Sequence, residues 1–140
     1  MLGSCITSWT TEEYKSENHS LKILNPTSNA SKWGNWNQQI IDSIPTGKNS
    51  SLKVLIKTDN IAGNGVALMI RCDDSYDNFI TGVSTEGSIN ITGTSDWKEY
   101  SLKLSDNTPA NTAKLYIYLV LLSNTSGTVY FDDITYSYSE

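Results

Sequence analysis

The sequence contains little charge, and most of that charge is acidic. Only 18% of the 140 residues are charged, and 10 Lys and Arg stand against 15 Asp and Glu, which gives a formal net charge of −5 at pH 7. A chain with this balance has no positive field to attract the phosphates of nucleic acids or an anionic membrane surface. The composition therefore argues against a nucleic-acid partner.

Long hydrophobic runs are also missing. The longest apolar stretch, Leu115 to Leu122, includes two tyrosines and is far shorter than the roughly 20 residues of a transmembrane helix, so no transmembrane segment is predicted. The N-terminus lacks the basic and apolar regions of a secretory signal. Leu2-Gly3-Ser4-Cys5 resembles the end of a lipoprotein signal, in which Cys5 would be lipidated. Residues 1–10 are therefore either a truncated lipoprotein N-terminus or a short polar leader with an incidental cysteine.

Histidine and cysteine are scarce, and their positions do not indicate an active site. The one histidine, His19, lies in a loop-like run without a nucleophile motif that it could serve. Cys5 and Cys72 could form one disulfide, but Cys72 lies in a predicted strand and is interpreted as a small buried hydrophobe. The acidic pairs, such as Asp73-Asp74, are adjacent in sequence and would point to opposite faces of a strand. The chain is therefore predicted not to be an enzyme.

What the sequence does contain is a period-two pattern along its whole length, together with 34 Ser and Thr and 13 Asn. No stretch sustains apolar positions at helical spacing, which predicts an all-β fold. Turn-forming residues separate the predicted strands. These strands are Ser20 to Leu24, Trp36 to Ile41, Ser51 to Thr58, Gly65 to Cys72, Phe79 to Val83, Ser88 to Ile91, Trp97 to Leu104, Lys114 to Leu122 and Thr128 to Tyr136.

Strands with two different faces indicate how the sheets are arranged. Leu115, Ile117 and Leu119 share one face of their predicted strand, whereas Tyr116 and Tyr118 share the other. So many short strands in a single domain must form two packed sheets or a barrel, because one sheet would leave an apolar face in water. A single-domain β-sandwich spanning residues 1–140 is favoured.

Aromatic residues with a polar edge form the most informative group, since the chain has four Trp and eight Tyr but only two Phe. Such rings suit half-exposed positions, where one face stacks and the edge forms hydrogen bonds. A sugar ring needs this kind of platform beside amide and charged hydrogen-bonding groups. The alternative is that any of these rings is structural, which is favoured for Trp97, expected to pack on the edge of the sandwich. The candidate ligand-binding residues are Trp33, Trp36, Gln38, Gln39, Arg71, Tyr76, Phe79, Tyr116 and Tyr118, with Asn37 beside them.

Several segments, taken in order, resemble carbohydrate-binding modules of the family 4, 9 and 22 type. The most specific is Gly127-Thr128-Val129-Tyr130-Phe131-Asp132-Asp133-Ile134, and the likeness covers about residues 19 to 136. The resemblance implies a jelly-roll sandwich whose concave sheet binds β-linked polysaccharide or oligosaccharide without catalysis. It also implies an extracellular or bacterial cell-surface location and attachment to a glycan-degrading enzyme. The alternative function is a structural or adhesion domain that has kept the sandwich and lost the cleft.

The resemblance also assigns roles to individual residues. The cleft tryptophan of the family matches Trp36 or Trp33, the aromatic residue at the hairpin tip matches Tyr76 or Phe79, and the concave strand matches Tyr116 and Tyr118. Asp132 matches a residue that ligates a structural calcium ion, and Glu12 or Glu13 would replace the early acidic partner. The family's opening Asn-Gly-x-Phe-Glu strand is reduced here to Cys5 to Trp9, and Ser50-Ser51 stands where an aromatic residue is expected.

Overall fold

The computed structural model describes residues 5–15, 19–26 and 33–139, and within them all regular structure is β. Every strand pairing is antiparallel. The strands are β1 Ile6–Thr10, β2 Ser20–Asn25, β3 Gly34–Ile40, β4 Ser50–Gly63, β5 Val66–Asp73, β6 Phe79–Ser84, β7 Gly93–Lys103, β8 Lys114–Leu121 and β9 Thr125–Tyr138.

The strands form two sheets. The five-stranded sheet has the order β1-β2-β9-β4-β7, and the four-stranded sheet has the order β3-β8-β5-β6. Most connections cross from one sheet to the other, so neighbours within a sheet are seldom consecutive in sequence. The predicted all-β sandwich with jelly-roll topology is thereby confirmed. The described residues include no helix that is long and apolar enough to cross a membrane.

The core lies between the sheets and follows the alternation read from the sequence. Leu52, Val54 and Ile56 of β4 are fully buried, and they face Leu115 and Leu119 of β8 within one apolar cluster. Each buried aliphatic side chain contributes about 1.5–3 kcal/mol through removal of apolar surface from water. The opposite face of β8 carries Tyr116 and Tyr118, which are half-buried.

One predicted strand is wrong. Ser88 to Ile91 is a turn and its exit, because the amides of Ser88 and Ile89 both donate to the carbonyl oxygen of Thr85, at 3.1 and 2.9 Å. Ile91 is nevertheless buried, and its carbonyl oxygen accepts a hydrogen bond from the Val66 amide at 3.1 Å. Its apolar character therefore reflects burial at the end of a loop rather than a strand.

The two cysteines are not paired. Cys72 is fully buried in β5, as predicted, and burial raises the pKa of its thiol. Cys5 is half-buried, and burial raises its pKa too. It packs so closely on β3 that a Cβ at Gly34 would lie 2.8 Å from the Cys5 Sγ. Both thiols are therefore protonated and held as packing groups at neutral pH.

Candidate functional site

The outer face of the four-stranded sheet brings most of the predicted ligand-binding residues together. Strand pairing places Gln39 beside Tyr116 and Tyr116 beside Arg71 in one row across the sheet. In the next row Asn37 lies beside Tyr118, which lies beside Met69. We call this surface the aromatic face, and define it by Trp33, Gln39, Met69, Arg71, Phe79, Tyr116 and Tyr118.

Three rings follow one another along the aromatic face. The Trp33 and Tyr118 ring centroids are 6.0 Å apart with planes tilted by 35°, and those of Tyr118 and Tyr116 are 5.8 Å apart and stacked at 25°. Trp33 directly precedes β3 and is 45% exposed. Rings at these separations attract one another by about 0.5–1.5 kcal/mol per pair. The row is therefore ordered by its own contacts and still keeps accessible surface.

Polar groups border the row of rings. Gln39 Nε2 donates to the Tyr116 hydroxyl at 3.0 Å. Burial raises the pKa of Tyr118, so its hydroxyl remains a neutral donor and acceptor at physiological pH. The face thus combines flat rings with amide and hydroxyl groups at their edges.

Arg71 links the rings to a buried carboxylate. Its Nε donates to Asp73 Oδ1 at 2.7 Å, and the Asp73 side chain is only 5% exposed. This hydrogen bond raises the pKa of Arg71. The guanidinium carbon lies 5.4 Å from the centroid of the Phe79 ring. Asp73 and Phe79 therefore hold the orientation of the cation from two sides.

The Phe79 ring lies over Gly82, which has no side chain. A Cβ at Gly82 would lie 3.2 Å from Phe79 Cε1. Trp33, Met69, Arg71, Phe79 and Tyr118 line an open depression of about 330 Å³. A volume of this size falls within the usual range of ligand pockets, about 300–1,000 Å³. Sequence reasoning missed Met69 and Gly82, and only the strand register reveals their position on this face.

Trp36 and Gln38 point the other way, so the structure does not bring them to the aromatic face. Alternation along β3 directs them toward the opposite sheet, and the Trp36 indole Nε1 donates to the Lys22 carbonyl at 3.1 Å. Trp36 packs on the main core, and both residues line a gap of about 210 Å³ between the sheets. Of the two tryptophan alternatives, the geometry favours Trp33 as the platform.

Tyr76 lies in the loop between β5 and β6 and is 83% exposed. The loop is held by Asp74, whose Oδ1 accepts hydrogen bonds from the amides of Tyr76 and Asn78 at 2.8 and 2.9 Å. Lys114 forms an ion pair with Asp77 at the same loop. Of the two aromatic residues matched to the hairpin tip, Phe79 is the one that lies over the sheet.

The residues matched to calcium ligands are engaged by other groups. Glu12 forms an ion pair with Lys22 at 2.8 Å, which lowers the pKa of Glu12, and Glu13 pairs with Lys57 at 2.9 Å. Asp132 accepts hydrogen bonds from the Lys15 amide and from its neighbouring amide, both at 2.8 Å. Across residues 5–15, 19–26 and 33–139, no group of three or more His, Cys, Asp or Glu side chains could hold a metal ion. As placed, each of these carboxylates is engaged by a protein donor.

Calcium binding at Asp132 stays a prediction, and melting experiments test it. The direct link from Asp132 to Lys15 already ties the closing strand to the early loop, so Asp132→Ala should lower the melting temperature in EDTA. Both hydrogen bonds are exposed to solvent, so their loss should cost about 0.5–1.5 kcal/mol in all. If calcium also binds, it should raise the melting temperature of the native chain and not of the variant. Equal melting of the native chain in calcium and in EDTA would contradict the calcium prediction.

Comparison with known proteins shows which solved structures have a similar fold. No protein-family model matches the chain, and no curated protein matches it by sequence. Among solved structures, it is similar to the enzymatically active domain of bacteriophage CBA120 tailspike protein 4, with a TM-score of 0.70 and 20% identity over 99% of this chain and 18% of that one. It is similar to a CBM4 carbohydrate-binding module, with a TM-score of 0.59 and 19% identity over 96% of this chain and 80% of that one.

A third similar structure joins a module to a catalytic domain. It is the CBM22-1 and GH10 part of Clostridium thermocellum endo-1,4-beta-D-xylanase 10B complexed with xylohexaose, with a TM-score of 0.64 and 15% identity over 97% of this chain and 25% of that one. The chain thus spans a small share of the tailspike and xylanase chains and most of the CBM4 module. Together these likenesses show that the chain has the β-sandwich fold of carbohydrate-binding modules.

Proposed function

We propose that this protein binds a β-linked polysaccharide or oligosaccharide on the aromatic face, without catalysis. The observation that carries the proposal is the row of three rings formed by Trp33, Tyr118 and Tyr116, with Gln39 and Arg71 at its edges. A glycan is amphipathic in the same way, since its sugar rings have apolar CH faces and a fringe of hydroxyls. The fold shared with carbohydrate-binding modules supports the same conclusion.

The binding mechanism is stacking with hydrogen bonds at the ring edges. The CH face of a sugar lies on a ring and buries apolar surface, at about 25 cal/mol per Å². The Gln39 amide, the tyrosine hydroxyls and the Arg71 guanidinium then exchange hydrogen bonds with the sugar hydroxyls. Because Asp73 is buried against Arg71, that carboxylate holds the cation rather than acting on a glycosidic bond.

A shallow site of this kind binds weakly on its own, and attachment raises its effective affinity. We therefore propose that the domain works at the cell surface or outside the cell, next to a glycan-degrading enzyme or on a surface that holds many copies. The xylanase structure, in which a similar module accompanies a catalytic domain, supports this arrangement.

Native affinity gels containing a panel of soluble polysaccharides test the proposal. At least one β-glycan should retard the native chain, and Tyr118→Ala should weaken that retention by about tenfold, which corresponds to about 1.4 kcal/mol. Tyr118→Phe keeps the ring and should retain most of the binding. Tyr138→Ala removes an exposed tyrosine of the other sheet and serves as the matched control.

Two outcomes would contradict the proposal. One is that no glycan in the panel retards the native chain, which would favour the structural or adhesion function. The other is that Tyr118→Ala folds normally and binds as well as the Tyr138→Ala control does.

A further inference from the structure

A second cavity opens at the edge of the five-stranded sheet, where β9 continues past β2. The pairing of β2 with β9 ends at Leu21 and Phe131. On its other side β9 pairs with β4, and there Leu55 lies opposite Asp132 whereas Lys53 lies opposite Thr135. Two residues of β9, Asp133 and Ile134, therefore stand opposite one residue of β4, which is a β-bulge.

The bulge brings Asp133 and Ile134 to the cavity at the edge of the sheet. Asp133 has a φ of 48°, a left-handed conformation that Asp tolerates better than most residues. Bulges are found beside binding sites because they change the direction of a side chain. Both residues line a cavity of about 400 Å³, which we call the edge cavity.

An exposed ring pair forms another wall of the edge cavity. The rings of Trp9 and His19 are stacked, with centroids 3.8 Å apart and planes at 21°, and both line the cavity. Trp9 is 67% exposed although it lies within β1 and pairs with Leu21 of β2. An indole supported on one side by an imidazole is a fixed platform, and its exposure leaves surface for a ligand.

We propose that the edge cavity binds an uncharged sugar residue, either free or at the end of a glycan chain. Its CH face would stack on the Trp9 indole, and its hydroxyls would donate to the Asp133 carboxylate. The volume accommodates a ligand of one or two sugar rings. None of the residues that line this cavity belongs to the aromatic face, so the inference stands without the function proposed for that face.

A cationic ligand also fits an aromatic ring beside carboxylates, but one feature favours the sugar. Asp132, the other acidic residue of the cavity, accepts hydrogen bonds from the amides of Lys15 and Asp133. These charge-assisted hydrogen bonds offset part of the negative charge that a cation would need, whereas a neutral polyol does not depend on that charge.

Indole N–H signals in NMR spectra distinguish the two sites, because the four tryptophans have different surroundings. Trp9 reports on the edge cavity and Trp33 on the aromatic face, whereas the indole of Trp36 is bonded to the Lys22 carbonyl and serves as an internal reference. The full chain is titrated with the methyl β-glycosides of glucose, galactose, mannose and xylose. At least one of them should shift the Trp9 signal in a saturable way and leave the Trp36 signal unchanged.

Two variants identify the contacts. Asp133→Asn removes the carboxylate and keeps a residue that tolerates the left-handed conformation, and it should weaken binding by about tenfold, as expected for the loss of hydrogen bonds to a charged group. Trp9→Ala, read at the His19 ring protons, should abolish saturation. Trp33→Ala is the matched control and should leave the Trp9 response intact.

Three results would overturn the inference. The first is a Trp9 signal that does not shift, or shifts without saturation, with every glycoside. The second is saturation by choline, titrated in parallel as a cationic probe, in place of the sugars, and the third is unchanged affinity in Asp133→Asn. A response at Trp33 alone would remove the edge site while leaving the proposed function intact, and a response at Trp9 alone would support the edge site and leave the proposed function to the affinity-gel test.

Discussion

Replacement of Gly63 by Ala is expected to prevent stable folding of the domain. Gly63 ends β4 with a φ of 107°, and a Cβ added there would lie 2.0 Å from the carbonyl oxygen of Asn124. The added Cβ would meet backbone atoms of Asn124 and Thr125 rather than a flexible side chain. The two segments are joined by the pairing of Gly63 with Thr125, where β9 begins. Neither can move without breaking that pairing, so the cost should exceed about 4 kcal/mol, a large part of the 5–15 kcal/mol that stabilises a typical domain.

Gly87 provides the matched control. It also has a positive φ, 84°, but a Cβ at that position would meet no atom within 4 Å. Gly87→Ala should therefore cost only the conformational strain, about 1–2 kcal/mol. Urea denaturation of both variants measures the difference. Equal losses of stability would show that conformational strain, and not the contact with Asn124, makes Gly63 necessary.

The two faces of the central strands could be predicted from the sequence because the side-chain period of a strand is fixed at two. Leu115 and Tyr116 are adjacent, so burial of one places the other outside whatever the partner strand is. The same rule gave the buried row of β4. These assignments required no knowledge of how the strands pair.

The choice between Trp33 and Trp36 required more than the period. Both precede or begin a predicted strand, and either could have faced outward until the register was known. The pairing of Asn37 with Tyr118 sets Asn37 on the outer face and turns Trp36 inward. That pairing joins segments about 80 residues apart, and nothing local in the sequence specifies it.

The edge cavity could not be predicted from the sequence for a different reason. Asp132 and Asp133 look like two ordinary residues of the closing strand, and alternation would place them on opposite faces. The bulge arises because β9 pairs with β4 in two registers, and the sequence carries no glycine or proline at this point to signal it. His19 lies in a loop directly before β2, as predicted, but its stacking on Trp9 depends on the pairing of β1 with β2, which the sequence does not reveal.

Trp33, which directly precedes β3, and Trp36 within β3 should respond to substitution in opposite ways. Trp36→Ala removes an indole that packs on the core and donates to the Lys22 carbonyl of the other sheet. Loss of a packed tryptophan costs about 3–5 kcal/mol, and the free energy of unfolding should fall by an amount near the lower end because Trp36 is only half-buried. Trp33→Ala should change stability by less than about 1 kcal/mol, as expected for an exposed ring.

Binding should show the reverse order. Trp33→Ala removes the first ring of the row and should weaken retention by a β-glycan by about 10- to 100-fold, or about 1.4–2.8 kcal/mol. Trp36→Ala, measured at a temperature where it is folded, should bind nearly as well as the native chain, because its ring lies between the sheets. Chemical denaturation and affinity electrophoresis on the same two proteins separate the two roles. A Trp36 variant that keeps its stability but loses binding would place the glycan in the gap between the sheets and remove it from the aromatic face.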